Sequence, residues 1–440
     1  MRVPQTAKYA GKAEPPGPVA DPPEAQDASQ SGLFRNRSFV RLFSADATSI
    51  GGQSLGTVAL TWLVFSRTGS AADVAYVALS NMLAVIAFSL FAGTLVDRRD
   101  RRRMMIYSDA FRAAGIGILA AELYLAGFSL ALVLAVSFLL GTFTALFYPA
   151  ERSLLPTLIG PEQVADANGL ILTANAIFQS VANAAGGALV AIAGVVIALG
   201  LNSLTFTVSA LLIASIAIRG SPKSQARVAS GRSFLADTRE GIRYLLGWKG
   251  LLYFTLSGGL TNLFLTMVST FVVVYAAEVL RGGAEVYGLL LALFTLGFAP
   301  GALIVGRTRA VARAGWVWCL CGLGLVPSVL LLALSPDVAV AAASILLTGF
   351  ILGYGNATWL SFVQLAVPGE MQGRYFGVDQ LGSLGVIPVG QVLGAFLIET
   401  SGVRFEYSVA AAGLLVSGLF FILSKDMRSL RYVRPGAPRE

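Results

Sequence analysis

The sequence contains no histidine and only two cysteines among its 440 residues. Histidine is the commonest general base and metal ligand near neutral pH, so its absence weighs against a metalloenzyme. Cys319 and Cys321 stand two positions apart in an apolar run, and on a helix they would point in different directions. A disulfide or a shared metal ion is therefore not expected, and we predict neither a metal site nor a cofactor.

Charged residues are also scarce, at 13% of the chain against 55% hydrophobic residues. Soluble domains contain about 25% charged residues, so this chain has too little charge to cover a water-facing surface. Apolar runs of about twenty residues alternate with short polar joints, which is typical of membrane-spanning helices. The net charge of +8 is concentrated in those joints, which favours membrane orientation and anionic lipid binding over nucleic-acid binding.

Twelve apolar runs are long enough to cross about 30 Å of hydrocarbon as helices. They cover residues 39–65, 72–96, 104–127, 129–149, 165–192, 195–218, 251–279, 284–305, 314–334, 337–360, 375–399 and 403–424. The predicted fold class is therefore all-α integral membrane, with about twelve transmembrane helices in two pseudo-symmetric six-helix halves.

The polar stretches divide the chain into five parts. Residues 1–32 are rich in Pro, Ala and Gly without an apolar period, so we expect a disordered cytoplasmic tail. The N-terminal half covers 33–218, a cytoplasmic linker 219–249, the C-terminal half 250–425 and a cytoplasmic tail 426–440. The linker ends in S-F-L-A-D-T-R-E-G-I-R-Y-L-L-G-W, whose apolar residues share a helical face. This stretch is either an amphipathic helix on the inner leaflet or an extension of the seventh span.

Basic residues are distributed unequally between the two sides of the predicted bundle. The joint 98–103 holds five arginines and the linker holds seven basic residues, whereas the opposite joints hold only Arg67, Arg281 and Arg404. Cytoplasmic loops carry the excess of Lys and Arg in membrane proteins. Both termini are therefore expected in the cytoplasm, with the chain spanning the inner (plasma) membrane.

One stretch between the second and third spans combines acid with a block of arginine. It runs from Gly93 to Arg103, G-T-L-V-D-R-R-D-R-R-R. A weak copy at Ala302–Arg307, A-L-I-V-G-R, occupies the corresponding place in the second half, keeping the arginine and losing the aspartate. Repeated halves place a substrate site at their interface, near the middle of the membrane.

That stretch resembles the signature G-x-x-x-D-R-x-G-R-R of the major facilitator superfamily, with Asp100 in place of the second glycine. The matching positions are Gly93, Asp97, Arg98, Arg101 and Arg102. Further stretches look like the bacterial drug-efflux-type branch, which includes macrolide-efflux and enterobactin-exporter-like proteins. They are F-R-N-R-S-F-V-R-L-F, S-D-A-F-R-A, Y-P-A-E-R-S-L-L-P, R-E-G-I-R-Y-L-L and V-P-G-E-M-Q-G-R-Y-F-G, and the resemblance extends over residues 33–425.

The resemblance implies a gate at the cytoplasmic side. In that family the acid that corresponds to Asp97 pairs with a loop arginine and faces the start of helix eleven, so we expect Asp97 and Arg101 to latch the halves. Arg99 and Arg103 are expected to bind lipid headgroups. The family's glycine-rich antiporter motif in helix five is reduced here to Gly186-Gly187, so this helix should be less kinked than in drug–proton antiporters.

Ionisable residues inside spans usually face the bundle interior or a water-filled cavity. Asp46 lies about two turns into the first span, where burial disfavours its charged form. It is our candidate for proton coupling, and the alternative is a structural polar contact. A separate charge network is expected to combine Asp109 and Arg112, three positions apart on one helix face, with Glu151 and Arg152.

Uncharged polar and aromatic residues at mid-span are candidates for lining a substrate cavity. They are Gln179, Asn183, Asn262, Trp359 and Gln391. The alternative is that the amides join helices and the aromatic ring is ordinary packing.

No phosphate-binding motif G-x-x-x-x-G-K-[ST] is present, so transport driven by ATP within this chain is not expected. The function we predict is a secondary transporter that works by alternating access, as a monomer, and exports an amphipathic small molecule or drug in exchange for protons. The alternatives are a uniporter or importer of a metabolite, a non-transporting membrane receptor and a membrane-embedded enzyme; the missing histidines disfavour an enzyme.

Overall fold

The structure is a computed structural model that describes residues 32–217, 234–308 and 310–431. The predicted N-terminal tail up to residue 31, the linker at 218–233 and the end of the C-terminal tail at 432–440 lie outside the described residues. The side chains of Asp97 and Arg98, within a helix, also lie outside them.

The N-terminal half consists of six long helices. They are α1 (Arg37–Thr68), α2 (Ala71–Arg98), α3 (Arg101–Leu125), α4 (Leu130–Leu158), α5 (Val164–Ala193) and α6 (Val195–Ala214). Side-chain oxygens of Asn36, Ser70, Asp100 and Ser129 accept backbone N–H groups in the first turns of α1 to α4. Because these caps lie in the polar joints, the joints fix where the apolar helices begin.

The C-terminal half begins after a short helix, α7 (Phe234–Gly247). Its spans are α8 (Lys249–Thr270), α9 (Ala284–Ile304), α10 (Ala314–Leu334), α11 (Val338–Ala366), α12 (Gly369–Gly385), α13 (Ile387–Ser401) and α14 (Val403–Leu423), followed by α15 (Lys425–Arg428). A helical turn at Val272–Val274 and a π-helical turn at Tyr275–Val279 continue α8. Helices α12 and α13 form one span of 33 residues that is interrupted next to Pro388.

Eleven of these spans are long and apolar enough to cross a membrane. Helix α1, with 32 residues, is the twelfth, and Asp46, Gln53 and its hydroxyl residues make it more polar than the others. The described residues form helices and contain no strand. The prediction of an all-α membrane protein with about twelve helices is confirmed. Helices α4, α11 and α12 extend beyond the apolar runs from which they were predicted.

The two halves repeat each other in detail at one turn. Gly194 joins α5 to α6 with φ 85° and ψ 165°, and Gly402 joins α13 to α14 with φ 85° and ψ 162°. Only glycine adopts this backbone conformation readily. The two glycines stand about 208 positions apart, which is also the offset of the weak sequence repeat.

Helices α9 and α11 pack closely because each carries a pair of glycines four residues apart. A Cβ atom on Gly297 or Gly301 would overlap a backbone carbonyl of α11, and one on Gly349 or Gly353 would overlap a carbonyl of α9. Small residues let helix backbones approach in this way where no hydrophobic effect drives them together.

The halves contact each other through α5 with α9 and through α2 with α13. The joints between α2 and α3 and between α9 and α10 hold arginines and lie at one end of the bundle. We call this the basic end, and the other the far end. The starts of α2 and α9 lie at the far end.

Helix α7 is separate from α8, since Trp248 has non-helical torsion angles between them. It packs on α12, where Gly241 lies against the backbone of Arg374 and where Glu240 Oε1 is 3.0 Å from Arg374 Nη1. Ile242 and Leu246 on its other side are exposed. The amphipathic stretch is thus a helix of its own rather than an extension of the seventh span.

Candidate functional site

Three carboxyl groups are buried together in the basic-end half of the N-terminal bundle. Asp46 on α1 is 1% exposed, Asp109 on α3 is 0% exposed and Glu151 on α4 is 7% exposed. Glu151 and Asp46 lie within hydrogen-bonding reach of each other. We refer to these three residues as the acid cluster.

Each acid has a limited set of polar partners. Asn175 Nδ2 on α5 donates to Asp46 Oδ2 at 2.8 Å. Asp109 forms an ion pair with Arg112 one turn along α3, and Ser49 Oγ lies 3.5 Å from its Oδ1. The cluster therefore joins α1, α3, α4 and α5, so that its charge state bears on how these helices pack.

Arg112 is the buried cation of this region, and it is 1% exposed. Its guanidinium carbon lies 4.5 Å from the ring centre of Phe147 and 4.7 Å from that of Phe206. Aromatic faces stabilise a guanidinium that has left water. Arg152, expected in the same network, is exposed, and it lies close enough to Glu151 to interact with its carboxyl group electrostatically.

The charges in the acid cluster do not balance if every group is ionised. Three carboxylates would face one buried guanidinium, and burying an unpaired charge is costly. Asp46 and Glu151 lie within hydrogen-bonding reach, and two ionised carboxylates cannot form a hydrogen bond with each other. The arrangement is therefore suited to holding at least one proton on a carboxyl group.

A cavity of about 390 Å³ lies between the two halves, next to the acid cluster. Helices α1 to α4 and α6 line one side, and α8, α9 and α13 line the other. Its polar lining includes Gln53, Asn81, Arg112, Asn202 and Gln391, and its apolar lining includes Leu60, Val77, Leu140, Phe206 and Leu291. This volume and mixed lining are typical of sites for small organic ligands.

Two side chains connect the cavity to the acid cluster. Arg112 lines the cavity and pairs with Asp109. Gln53 lines the cavity, and its Oε1 accepts the hydroxyl of Tyr148 at 3.4 Å; that hydroxyl lies close enough to Asp46 and Glu151 to interact with them electrostatically. A ligand in the cavity and a proton in the cluster would therefore act on the same groups.

The predicted cavity candidates fall in different places. Gln391 lines the cavity. Asn183 is buried where α5 meets α9, and Gln179 is exposed on α5. Asn262 is half-buried on α8, and Trp359 packs edge-on against Phe376 in the C-terminal half, with 5.7 Å between ring centres.

At the basic end, the arginines of the predicted gate bind carbonyl groups of their own half. Arg101 Nη1 donates to Ser153 O at 2.9 Å, and Arg102 Nε donates to Ile213 O at 3.0 Å. Both carbonyls lie near helix C-termini, where a cation is favoured. Asp100 accepts the amide of Arg103 at 3.1 Å and caps α3. The side chains of Asp97 and Arg98 lie outside the described residues, so the contact expected for Asp97 does too.

Near the far end, contacts join the two halves directly. Glu399 Oε1 on α13 accepts the hydroxyl of Ser70 at 3.3 Å and the amide of Ala72 at 3.2 Å, both at the start of α2. Ser180 Oγ on α5 donates to Ala292 O on α9 at 2.9 Å. Gly187 lies against the backbone of Ala284 and Gly288.

Four polar residues that the structure buries or brings to the cavity were not predicted from the sequence. Gln53, Asn81 and Asn202 line the cavity, and each is a lone amide in an apolar run, the same signal that identified Gln391. Asp379 on α12 is 8% exposed. It lies one turn inside the predicted span 375–399 and was not singled out there.

Comparison with known proteins agrees with the fold. Residues 28–431 match the model of a family described as transmembrane secretion effector. The chain is 26% identical over 404 residues to the multidrug efflux pump Tap of Mycolicibacterium fortuitum, covering 88% of this chain and 96% of that protein. It is 22% identical over 398 residues to macrolide efflux protein A of Streptococcus pyogenes, covering 89% and 97%.

Among solved structures, the chain resembles a point mutant of the nucleoside transporter NupG. The TM-score is 0.72 with 11% sequence identity, and the match covers 88% of this chain and 99% of that one. At this identity the likeness concerns the fold alone.

Proposed function

The chain belongs to the transmembrane secretion effector family of the major facilitator superfamily, and on that basis we propose that it exports an amphipathic small molecule in exchange for protons. It is a multi-pass membrane transporter and not an enzyme. The finer proposal concerns direction, coupling and the residues that carry them.

The proposed mechanism is alternating access, with the two six-helix halves rocking about the central cavity. The contacts of Glu399 and Gly187 hold the far end together, and that of Ser180 joins α5 to α9 nearer the middle of these helices. We assign this arrangement to the inward-facing state. In the outward-facing state those contacts separate, and the basic end closes through the latch that we propose for Asp97.

Proton coupling is supported by one observation above all, the burial of three carboxyl groups against one guanidinium beside the cavity. Such a cluster binds a proton when it is shielded from water and releases it when water enters. Asp46 is the proposed carrier, since its carboxyl group and that of Glu151 lie within hydrogen-bonding reach and can share one proton. Arg112 and Gln53 transmit the change to the cavity.

The proposed substrate class follows from the lining of the cavity and from the relatives. Amide and hydroxyl groups alternate with apolar side chains, and Arg112 supplies the one formal charge in the lining as described. Amphipathic molecules with several hydrogen-bonding groups suit such a surface. A macrolide is a suitable first probe, because one relative is a macrolide efflux protein.

The proposed orientation places the basic end in the cytoplasm of a bacterial cell, in the inner membrane, with both termini inside. The tail, the two halves and the linker keep the boundaries given by the sequence, with α7 on the inner leaflet. The cavity is complete within one chain, which supports function as a monomer.

The test is transport of a labelled macrolide into inside-out proteoliposomes with the membrane potential clamped at zero and an imposed pH difference. Wild-type protein should accumulate the compound only when the imposed gradient drives protons out of the vesicle lumen, which corresponds to proton entry into the cell. Asp46→Asn, which keeps a hydrogen-bond acceptor for Asn175, should lower accumulation at one pH unit about tenfold, because one coupled proton is lost.

Exchange of labelled for unlabelled macrolide without a gradient should persist in Asp46→Asn. Glu122→Gln, on α3 but only half-buried, is the matched control and should behave as wild type. Accumulation by wild-type protein that does not depend on the pH difference would instead identify a uniporter and refute proton coupling.

A further inference from the structure

A second buried acid occurs in the C-terminal half, with a chain of hydroxyl groups beside it. Asp379 on α12 is 8% exposed and Tyr375, one turn earlier, is 0% exposed. The Tyr375 hydroxyl lies 3.5 Å from Asp379 Oδ1 and 3.0 Å from Thr255 Oγ1 on α8. The three residues connect two spans through one carboxyl group and two hydroxyl groups.

This site occupies the same place in its half as Asp46 does in the other. Helices α8 and α12 are the first and fifth spans of the C-terminal half, as α1 and α5 are of the N-terminal half. With the offset of about 208 positions between the halves, Thr255 falls beside Asp46. By the same offset, Asp379 falls one helical turn before Asn175. Each half thus has a buried acid between its first and fifth spans.

The spans that carry this acid are both interrupted. Helix α8 changes to a π-helical turn at Tyr275–Val279, and α12 breaks from α13 at Val386. Interrupted spans in transporters occur where substrate or coupling ions bind.

The groups that act on the Asp379 carboxyl are the neutral hydroxyls of Thr255 and Tyr375. The other charged and titratable groups on the described elements packed around it are not among the groups that act on this carboxyl. They are Arg239, Glu240, Arg243 and Tyr244 on α7, Lys249 and Tyr253 on α8, Tyr354 on α11, Glu370 and Arg374 on α12, and Glu399 on α13. Arg374 is paired with Glu240.

We propose that Asp379 is a second proton-binding site, so that each half of the transporter carries one proton per cycle. The proposal rests on the proton-coupled export proposed above. In the shielded state the carboxyl group is protonated, because no cation contacts it among the described residues. When water reaches it, the proton leaves to water, and the Tyr375 hydroxyl, itself positioned by Thr255, donates a hydrogen bond to the carboxylate.

The test is the number of protons coupled to each substrate molecule. With the membrane potential clamped at zero, each coupled proton allows about a tenfold substrate gradient per pH unit. Wild-type protein should therefore reach about a hundredfold gradient per pH unit. Asp379→Asn and Asp46→Asn should each reduce this to about tenfold, and the double variant should abolish the dependence on pH.

Three further variants separate proton binding from structure. Glu370→Gln, on the same helix but exposed, should keep the wild-type stoichiometry. Asp379→Glu should restore it, and Tyr375→Phe should keep it while shifting the pH at which transport is half-maximal. Thermal unfolding of each purified variant in detergent shows whether it is folded before its stoichiometry is scored.

The outcomes distinguish this proposal from the one on which it rests. If Asp379→Asn keeps the hundredfold gradient, or if wild-type protein reaches only tenfold and loses it in Asp46→Asn, the second site is refuted and coupled export stands. If wild-type transport ignores the pH difference, both proposals fail.

Discussion

At the scale of single residues, the sequence was informative wherever a charge interrupts an apolar run. Asp46, Asp109, Arg112 and Glu151 were identified in this way, and the structure brings all four together. Asp379 meets the same rule, since it lies within the predicted span 375–399, but it was not singled out because it lies only one turn from the predicted start of that span. Its burial depends on α8, more than a hundred positions away, and no local pattern reports such packing.

The departure of Asp100 from the family signature has a local explanation. A glycine at that position leaves the start of α3 without a side-chain cap, whereas Asp100 Oδ1 accepts the amide of Arg103 at 3.1 Å. Asp100→Ala should therefore destabilise the protein by about 1 kcal/mol, and Asp100→Gly by only a few tenths. Thermal unfolding in detergent measures the difference.

Asp100→Asn is the matched variant for the cap, since an amide oxygen can accept the same bond. It should retain wild-type stability and transport. Equal stability of Asp100→Ala and wild type would show that neither the cap nor the exposed ion pair with Arg103 contributes to stability.

At the scale of helices, hydropathy located all twelve spans but not their ends. Helix α4 reaches Leu158 and α11 reaches Ala366, past the residues where their apolar runs were expected to stop. An apolar run shows which part of a helix is in contact with hydrocarbon. The helix itself extends further, because backbone hydrogen bonds continue beyond the hydrocarbon into polar surroundings. The linker helix remained ambiguous for a related reason, since only its packing on α12 shows that it is separate from α8.

Gly187 is where α5 meets α9 across the two halves. A Cβ atom there would overlap the carbonyl oxygen of Ala284 and lie 3.0 Å from Gly288 Cα. Gly187→Val should therefore keep the far end from closing, at a cost of about 1–3 kcal/mol to the inward-facing state. A cysteine introduced at Ser269, which lines the cavity, should then react at least tenfold faster with an impermeant maleimide added from outside.

The same helix provides the control for that substitution. Gly169 on α5 has no atom within 4 Å of the position a Cβ would occupy, so Gly169→Val should leave the labelling rate of the Ser269→Cys background unchanged. A Gly187→Val protein with the unaltered rate would mean that the gap at Gly187 is not needed for closure of the far end.

At the scale of the whole molecule, the repeat in the sequence predicted two related halves but not how they touch. The contact between α2 and α13 shows why. Glu399 and Ser70 lie 329 positions apart, and their hydrogen bond exists in only one of the states proposed for the cycle. The periodicity of apolar residues in the sequence predicts helices, which persist through the cycle. Contacts that form in one state and break in the other produce no such periodicity.

Glu399 offers a direct test of the transition between those states. Its carboxylate accepts the amide of Ala72 and the hydroxyl of Ser70, at the N-terminus of α2, where negative charge is favoured. Glu399→Ala removes the acceptor and should shift the equilibrium toward the outward-facing state by about 1 kcal/mol, or roughly fivefold in the population ratio. Glu399→Gln keeps an acceptor without the charge and should shift it less.

Electron paramagnetic resonance measures that shift as a distance between two spin labels. The labels are attached at Ser66→Cys and Ser401→Cys, one exposed site in each half. The background protein carries Cys319→Ala and Cys321→Ala, so that only the two introduced cysteines are labelled. The long-distance population should increase in the order wild type, Glu399→Gln, Glu399→Ala. Asp73→Asn removes an acid from the same turn of α2 that makes no such contact between the halves, and it should leave the distribution unchanged. If Glu399→Ala gives the wild-type distribution, the carboxylate caps α2 without holding the halves together, and closure of the far end depends on the packing of α5 against α9.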